Sequence, residues 1–241
     1  MVKLSKSLYN KSIGDRHAVK ALALFVFVKD RRPASVFTDY TVTALSNYVG
    51  LSRNTTRERV KTLEKMGLVE RVGKRGQHLL FKRARVRCAN VDLSRINKKD
   101  IKSIELGLKA LLIYEVQRSK DWVKQRVYQA TNPDVGTPLK VVRRAKAFCR
   151  KRGITEFVDY GLSWNTIAQR LSSGFSTVKK AIVYGEQNKL FVKHCHIHHY
   201  DVAIGHASQY VQYSDATNLF ATKSNNNVYS FSCNTYTLCN A

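Results

Sequence analysis

TVTALSNYVGLSRNTTRERVKTLEKMGLVERVGKRGQHLLFKRARVR, Thr41 to Arg87, decides how the chain folds. Thr41 has the chemistry of a helix cap, and Ala44, Leu45 and Val49 follow at helical spacing. Gly50 predicts the end of that helix, because glycine takes the left-handed turn that other residues resist. Leu51 is placed to plug the gap before a second helix. Ser52 predicts the cap of that helix, over about Arg53 to Lys65, with Thr56, Val60 and Leu63 inward. Arg53, Asn54, Arg57 and Lys61 fall towards the other side. Met66-Gly67-Leu68 closes it. Two β-prone runs, LVERV and HLLFK, flank Gly73-Lys74-Arg75-Gly76 and predict a hairpin with a basic tip.

Helix, tight turn, helix and basic hairpin resemble a winged helix-turn-helix. The run GLSRNTTRERVKTLEKMGLVER is similar to the DNA-reading segment of GntR- and MarR-type bacterial regulators. It departs from them at Thr56 and Arg59, where such families more often carry an apolar or small residue. The resemblance implies that the second helix enters the major groove with its N-terminal residues near base edges. Arg53 and Arg57 then suit guanine, and Asn54 suits adenine. Thr55 and Lys61 lie on the same helix, and Lys74, Arg75 and Lys82 on the wing suit phosphates or the minor groove. From Ser52 to Arg87 there are twelve Lys and Arg against three Glu, so this face is strongly basic.

The whole chain shares that bias. Its 241 residues hold 42 Lys+Arg and 17 Asp+Glu, a net charge of +25. Such an excess repels itself in the folded state and points to a polyanionic partner. Double-stranded DNA fits best, because each neutralised phosphate releases a counterion. A membrane is not an expected partner. ALALFVFV (Ala21 to Val28) is the longest apolar run, too short to span a bilayer, and MVKLSKSLYNKS lacks the apolar stretch of a signal peptide. Five cysteines without paired short spacing argue against a disulfide framework or a four-cysteine zinc module. A cytoplasmic, nucleoid-associated location is expected.

An offset of 122 residues brings a second segment into register. Leu45 meets Ile167, Val49 meets Leu171, Thr55 meets Thr177, Val60 meets Ile182, Glu64 meets Glu186 and Leu68 meets Leu190. In LSWNTIAQRLSSGFSTVKKAIVYGEQNKLFVKH, Ser163 caps a helix to about Leu171, Ser-Ser-Gly turns, and a helix runs from about Phe175 to Asn188. Ser176, Thr177, Lys179 and Lys180 become its DNA-facing residues. PLKVVRRAKAFCRKRG, the first helix of this unit, has seven Lys and Arg and no acid from Lys140 to Arg152.

These features predict a mainly α fold with small β wings, made of tandem winged helix-turn-helix units joined by a helical connector. The expected division is residues 1–90 for the first unit, 91–135 for the connector and 136–215 for the second unit. The connector's helix is read over Ser103 to Ala130. Residues 216–241 form a polar tail, with disorder or an edge strand as its alternatives.

HCHIHHY, His194 to Tyr200, falls at the start of the second wing. On a strand, His194, His196 and His198 share one face, a donor set that suits zinc. Alternate residues lie about 7 Å apart, so one ion would need a bent strand and a fourth ligand such as His206. His196-Ile197-His198 also matches the histidine-hydrophobe-histidine motif of endonucleases that nick single-stranded DNA to start replication, with Tyr210 or Tyr213 as nucleophile. Only 43 residues follow His198, and they do not read as the rest of a nuclease domain. The simplest reading is a wing strand with a basic, titratable edge.

The expected function is sequence-specific binding of double-stranded DNA without catalysis or cofactor, as a transcriptional regulator. A plasmid- or phage-type replication initiator is the alternative, and a metal-dependent nickase a lesser one. A regulator should bind a palindrome as a homodimer; an initiator binds origin repeats as a monomer.

Overall fold

The computed structural model describes residues 4–32, 41–76, 78–82, 91–154, 162–201, 210–212 and 228–239. The fold is mainly helical with small antiparallel sheets. Contacts divide the chain into two compact units, Met1–Ile113 with Ile167–Leu190, and Tyr114–Thr166 with Phe191–Ala241.

The first unit begins with α1 (Lys6–Asn10) and α2 (Arg16–Arg31). Asp15 caps α2 by accepting from the backbone N–H of His17 at 2.8 Å and of Ala18 at 3.0 Å. The apolar run Ala21 to Val28 is buried all round, as expected of a helix with no polar face. α3 (Val42–Val49) is capped by Thr41, whose hydroxyl accepts from the Ala44 N–H at 3.1 Å. Gly50 ends it at φ +65°. α4 (Arg53–Lys65) is capped by Ser52, and its end is closed by Leu68 N–H donating to the Leu63 carbonyl at 2.9 Å. β1 (Val69–Val72) and β2 (His78–Phe81) pair antiparallel from Val69–Phe81 to Val72–His78, around a 3-10 turn at Lys74–Gly76. A Cβ at Gly73 would lie 2.6 Å from the His78 ring, and φ there is +87°. Glycine is therefore required at the base of this hairpin.

Leu22, Phe25, Leu45, Val60, Leu63, Leu79 and Phe81 lie in the core of this unit. The first part of α5 (Ile101–Thr131) joins them through Ile104 and Leu108, and the Tyr9 hydroxyl donates to the Leu108 carbonyl at 2.5 Å. α5 is longer than the helix expected over 103–130 by a residue or two at each end. The division at Ile113 cuts through the connector expected at 91–135.

α6 (Leu139–Arg152) belongs to the second unit, where Trp122 and Phe148 meet edge to face at 5.0 Å. α7 (Trp164–Arg170) starts at Ser163, whose hydroxyl accepts from the Thr166 N–H at 3.1 Å. Ser172 turns the chain at φ +46°, and α8 (Phe175–Gln187) follows. Contacts group α8 with the first unit: the Tyr184 hydroxyl accepts from the Asn97 N–H at 2.9 Å, and Arg95 donates to the Lys189 carbonyl at 2.8 Å.

β3 (Phe191–Asp201), β4 (Tyr210–Gln212) and β5 (Val228–Leu238) form an antiparallel sheet in the order β4-β3-β5. The HCHIHHY stretch thus lies on a central strand. β5 pairs along the length of β3, from Phe191–Leu238 to Asp201–Val228. The edge-strand alternative for the tail is the one its residues 228–238 adopt. Leu162 adds a single bridge to Asn234 on β5.

Candidate nucleic-acid interface

The N-terminal end of α4 is the most sharply built surface of the first unit. Gly50 reverses the chain, Leu51 N–H donates to the Ser46 carbonyl at 3.1 Å, and Ser52 starts the helix. The Ser52 hydroxyl accepts from the Thr55 N–H at 3.2 Å and donates to the Thr55 hydroxyl at 2.8 Å. Thr55 is thereby half-buried in the cap, and its hydroxyl is engaged there. Thr56, Val60 and Leu63 are buried on the inner face. Arg53, Asn54, Arg57 and Lys61 are exposed, and among the described residues no acid pairs with them.

Arg59 has the opposite fate. Its side chain is only 11% exposed, with one nitrogen donating to the Lys20 carbonyl at 3.2 Å and another 3.4 Å from Glu105. Burial lowers its pKa, and the Glu105 charge opposes that shift. Glu105 also receives Lys109 Nζ at 2.8 Å. One carboxylate thus neutralises two buried cations and ties α4 to α5. Sequence reasoning missed this role; the Glu105/Lys109 spacing of four residues was its only local sign.

Thr56 is fully buried, and among the described residues its hydroxyl has no hydrogen-bond partner. An unmatched buried hydroxyl is costly. Thr56→Val is therefore expected to raise the stability of the first unit by about 1 kcal/mol, measured by urea unfolding. A lower midpoint would mean that the hydroxyl is satisfied by water.

On the wing, Lys74 is exposed. The Arg75 side chain lies outside the described residues. Lys82 is half-buried and its ammonium meets Glu70 at 2.6 Å, so it reaches a phosphate only by exchanging that partner. Arg71 meets Glu64 at 2.6 Å and links β1 to the back of α4.

On α8, Ser176, Lys179 and Lys180 are exposed and Thr177 is half-buried. His194 is half-buried, and its Nε2 lies 3.0 Å from the Thr237 hydroxyl on β5. The backbone sets His196 opposite Cys233 and Gln212, and His198 opposite Phe231 and Tyr210. The side chains of His196 and His198, and all of His206 and Tyr213, lie outside the described residues. Among those described, no group of three or more His, Cys, Asp or Glu could hold a metal ion. Among the described residues Cys149 and Cys195 are free thiols. No described helix is long and apolar enough to cross a membrane.

α2 and α3 both pack against α4, and β1 follows α4 directly, which is the geometry of a helix-turn-helix that leads into a wing. Residues 18–73 match the IclR helix-turn-helix domain. The match runs from within α2 to the base of the β1–β2 hairpin, so the chain carries a helix-turn-helix DNA-binding domain. The match is to the IclR type, and the expected GntR- and MarR-type likeness gains no support from it. Neither the replication-initiator nor the nickase alternative is supported by it. Comparisons with curated proteins and with solved structures yield no match.

Proposed function

We propose that this protein is a transcriptional regulator that binds double-stranded DNA sequence-specifically, with α4 in the major groove. The observation that carries this reading is the capped end of α4, which presents Arg53, Asn54 and Arg57 outward while Thr56, Val60 and Leu63 hold the helix on the core. The first half-turns of such a helix are the part that reaches base edges. Lys61 and the wing residues Lys74 and Arg75 supply phosphate contacts. Selection of bound duplexes from a random pool tests this: a shared motif is expected, and an unenriched pool would overturn it. A regulator of this kind acts at the nucleoid as a homodimer on a palindromic motif, so the selected motif also tests the assembly.

A second helix-turn-helix is part of the proposal, and backbone details at the 122-residue offset support it. Gly50 at φ +65° corresponds to Ser172 at φ +46°, and Gly67 at φ +69° to Lys189 at φ +51°. Serine and lysine rarely take such angles, so the same turns are held there against local preference. Leu68 N–H to the Leu63 carbonyl, 2.9 Å, corresponds to Leu190 N–H to the Gly185 carbonyl, 2.8 Å. α4 and α8 have the same length in that register, and each is followed at once by a strand. In this reading the winged units occupy 1–90 and 136–215, with α5 between them. Ser176, Thr177, Lys179 and Lys180 then meet DNA. Lys179→Ala with Lys180→Ala should lower the slope of log K against log salt by about two. An unchanged slope would take α8 off the DNA.

A further inference from the structure

We infer that α6 is a separate DNA-binding surface, one that grips the phosphates of duplex DNA without reading sequence. Ala145 and Cys149 are buried, and Val141, Val142 and Phe148 are half-buried, which fixes the inner face of this helix. Lys140, Arg143, Arg144, Lys146, Arg150 and Lys151 are all exposed. At 100° per residue they spread over an arc of roughly 160° and run for about 16 Å along the axis. No Asp or Glu occurs from Val135 to Ile154 in the sequence. Among the described residues none of the six is ion-paired. The nearest acid before the helix, Asp134, accepts from the Tyr128 hydroxyl at 3.1 Å.

This arrangement works against the isolated helix. Lys140 with Arg143 and Arg144, Arg143 with Lys146, and Lys146 with Arg150 are like charges three or four residues apart, which repel one another. Lys140 also sits at the helix N-terminus, where positive charge is unfavourable. What holds the helix is its packing: Phe148 against Trp122, Arg152 stacked on Phe148 at 4.5 Å, and the C-terminal turn closed by Gly153 at φ +62°. A polyanion would relieve the repulsion.

Duplex DNA is the polyanion that fits. Its major groove is about 12 Å wide and admits one helix, with phosphates along both walls. Cations spread over so wide an arc face both walls at once. Leu139 and Ala147, the other exposed residues of that face, carry no hydrogen-bonding group for a base edge. The inference rests on the reading of the chain as a duplex-DNA binder, but not on base recognition by α4.

The full chain carrying Arg143→Gln, Arg144→Gln, Arg150→Gln and Lys151→Gln tests it. The probe is a mixed-sequence duplex of about 20 base pairs, titrated across a salt series. The slope of log K against log salt should fall by about 3–4, so the affinity lost between about 50 and 200 mM salt shrinks roughly 100-fold. The reduction should be equal on a duplex selected for tight binding. A control with Lys11→Gln, Arg16→Gln, Lys99→Gln and Lys102→Gln, all exposed positions, removes the same charge and should leave the slope within about one of the parent. Unchanged far-ultraviolet circular dichroism verifies that α6 persists. An unchanged slope in the α6 variant, or an equal fall in the control, would overturn the inference. So would a loss confined to single-stranded RNA or to phosphatidylserine vesicles. Failure of the regulator reading looks different: selected and mixed duplexes would bind equally, while the α6 slope would still report.

Discussion

Replacing Arg53 and Arg57 together by alanine is expected to weaken binding to the selected duplex by roughly 25- to 20,000-fold. The range follows from two bidentate contacts worth about 1–3 kcal/mol each, with about 1.4 kcal/mol per tenfold. Both side chains are exposed at the start of α4, and Ser52 caps the helix without them, so the fold should survive. Fluorescence anisotropy on the selected and the mixed-sequence duplex separates the outcomes. On the mixed duplex, only the modest loss of two phosphate-range charges is expected. An equal loss on both would make the two arginines phosphate ligands. No loss on either would remove α4 from the base-reading role.

The first unit was legible because its signals are local. Thr41, Gly50, Ser52 and Gly67 each act within four residues of themselves, and the structure uses all four as caps or turns. The same holds for the Gly73–Gly76 turn between β1 and β2. Arg59 was opaque for the opposite reason. Whether an arginine on a helix faces in or out depends on its partner, and Glu105 lies 46 residues away. The Lys82–Glu70 pair is likewise a choice between strands that side-chain type does not determine. β5 does alternate, through Tyr229, Phe231 and Cys233 and then, one step out of phase, Tyr236 and Leu238, so a strand signal lay inside the polar tail; its pairing with β3, more than 25 residues earlier, was not local. The grouping of α8 with the first unit rests on Asn97–Tyr184 and Arg95–Lys189, contacts across about ninety residues of chain. Elements are readable from nearest neighbours, whereas assembly depends on distant partners.

Glu105→Leu should be among the most damaging single substitutions in the first unit. It would strand Arg59 and Lys109, whose side chains are 11% and 7% exposed, without the carboxylate that both face. Removing one partner of a buried ionic group costs about 3–5 kcal/mol, because the remaining charge stays desolvated. In a unit of this size that corresponds to a fall of roughly 6–20 °C in Tm. The charges, rather than the packing, should account for most of the loss. Arg59→Met, Glu105→Leu and Lys109→Met combined replaces the whole cluster by apolar residues and is expected to bring Tm back near the parent value. The DNA affinity of that triple variant then isolates the positioning role of Arg59. Arg59 and Glu105 join the inner side of α4 to α5, so the helix should sit less uniquely against the core once they are gone. Recovered Tm with selected-duplex affinity still at least about tenfold low would make the cluster a positioning device for α4. Full recovery of both would reduce it to charge compensation. A Glu105→Leu variant as stable as the parent would contradict the buried network itself.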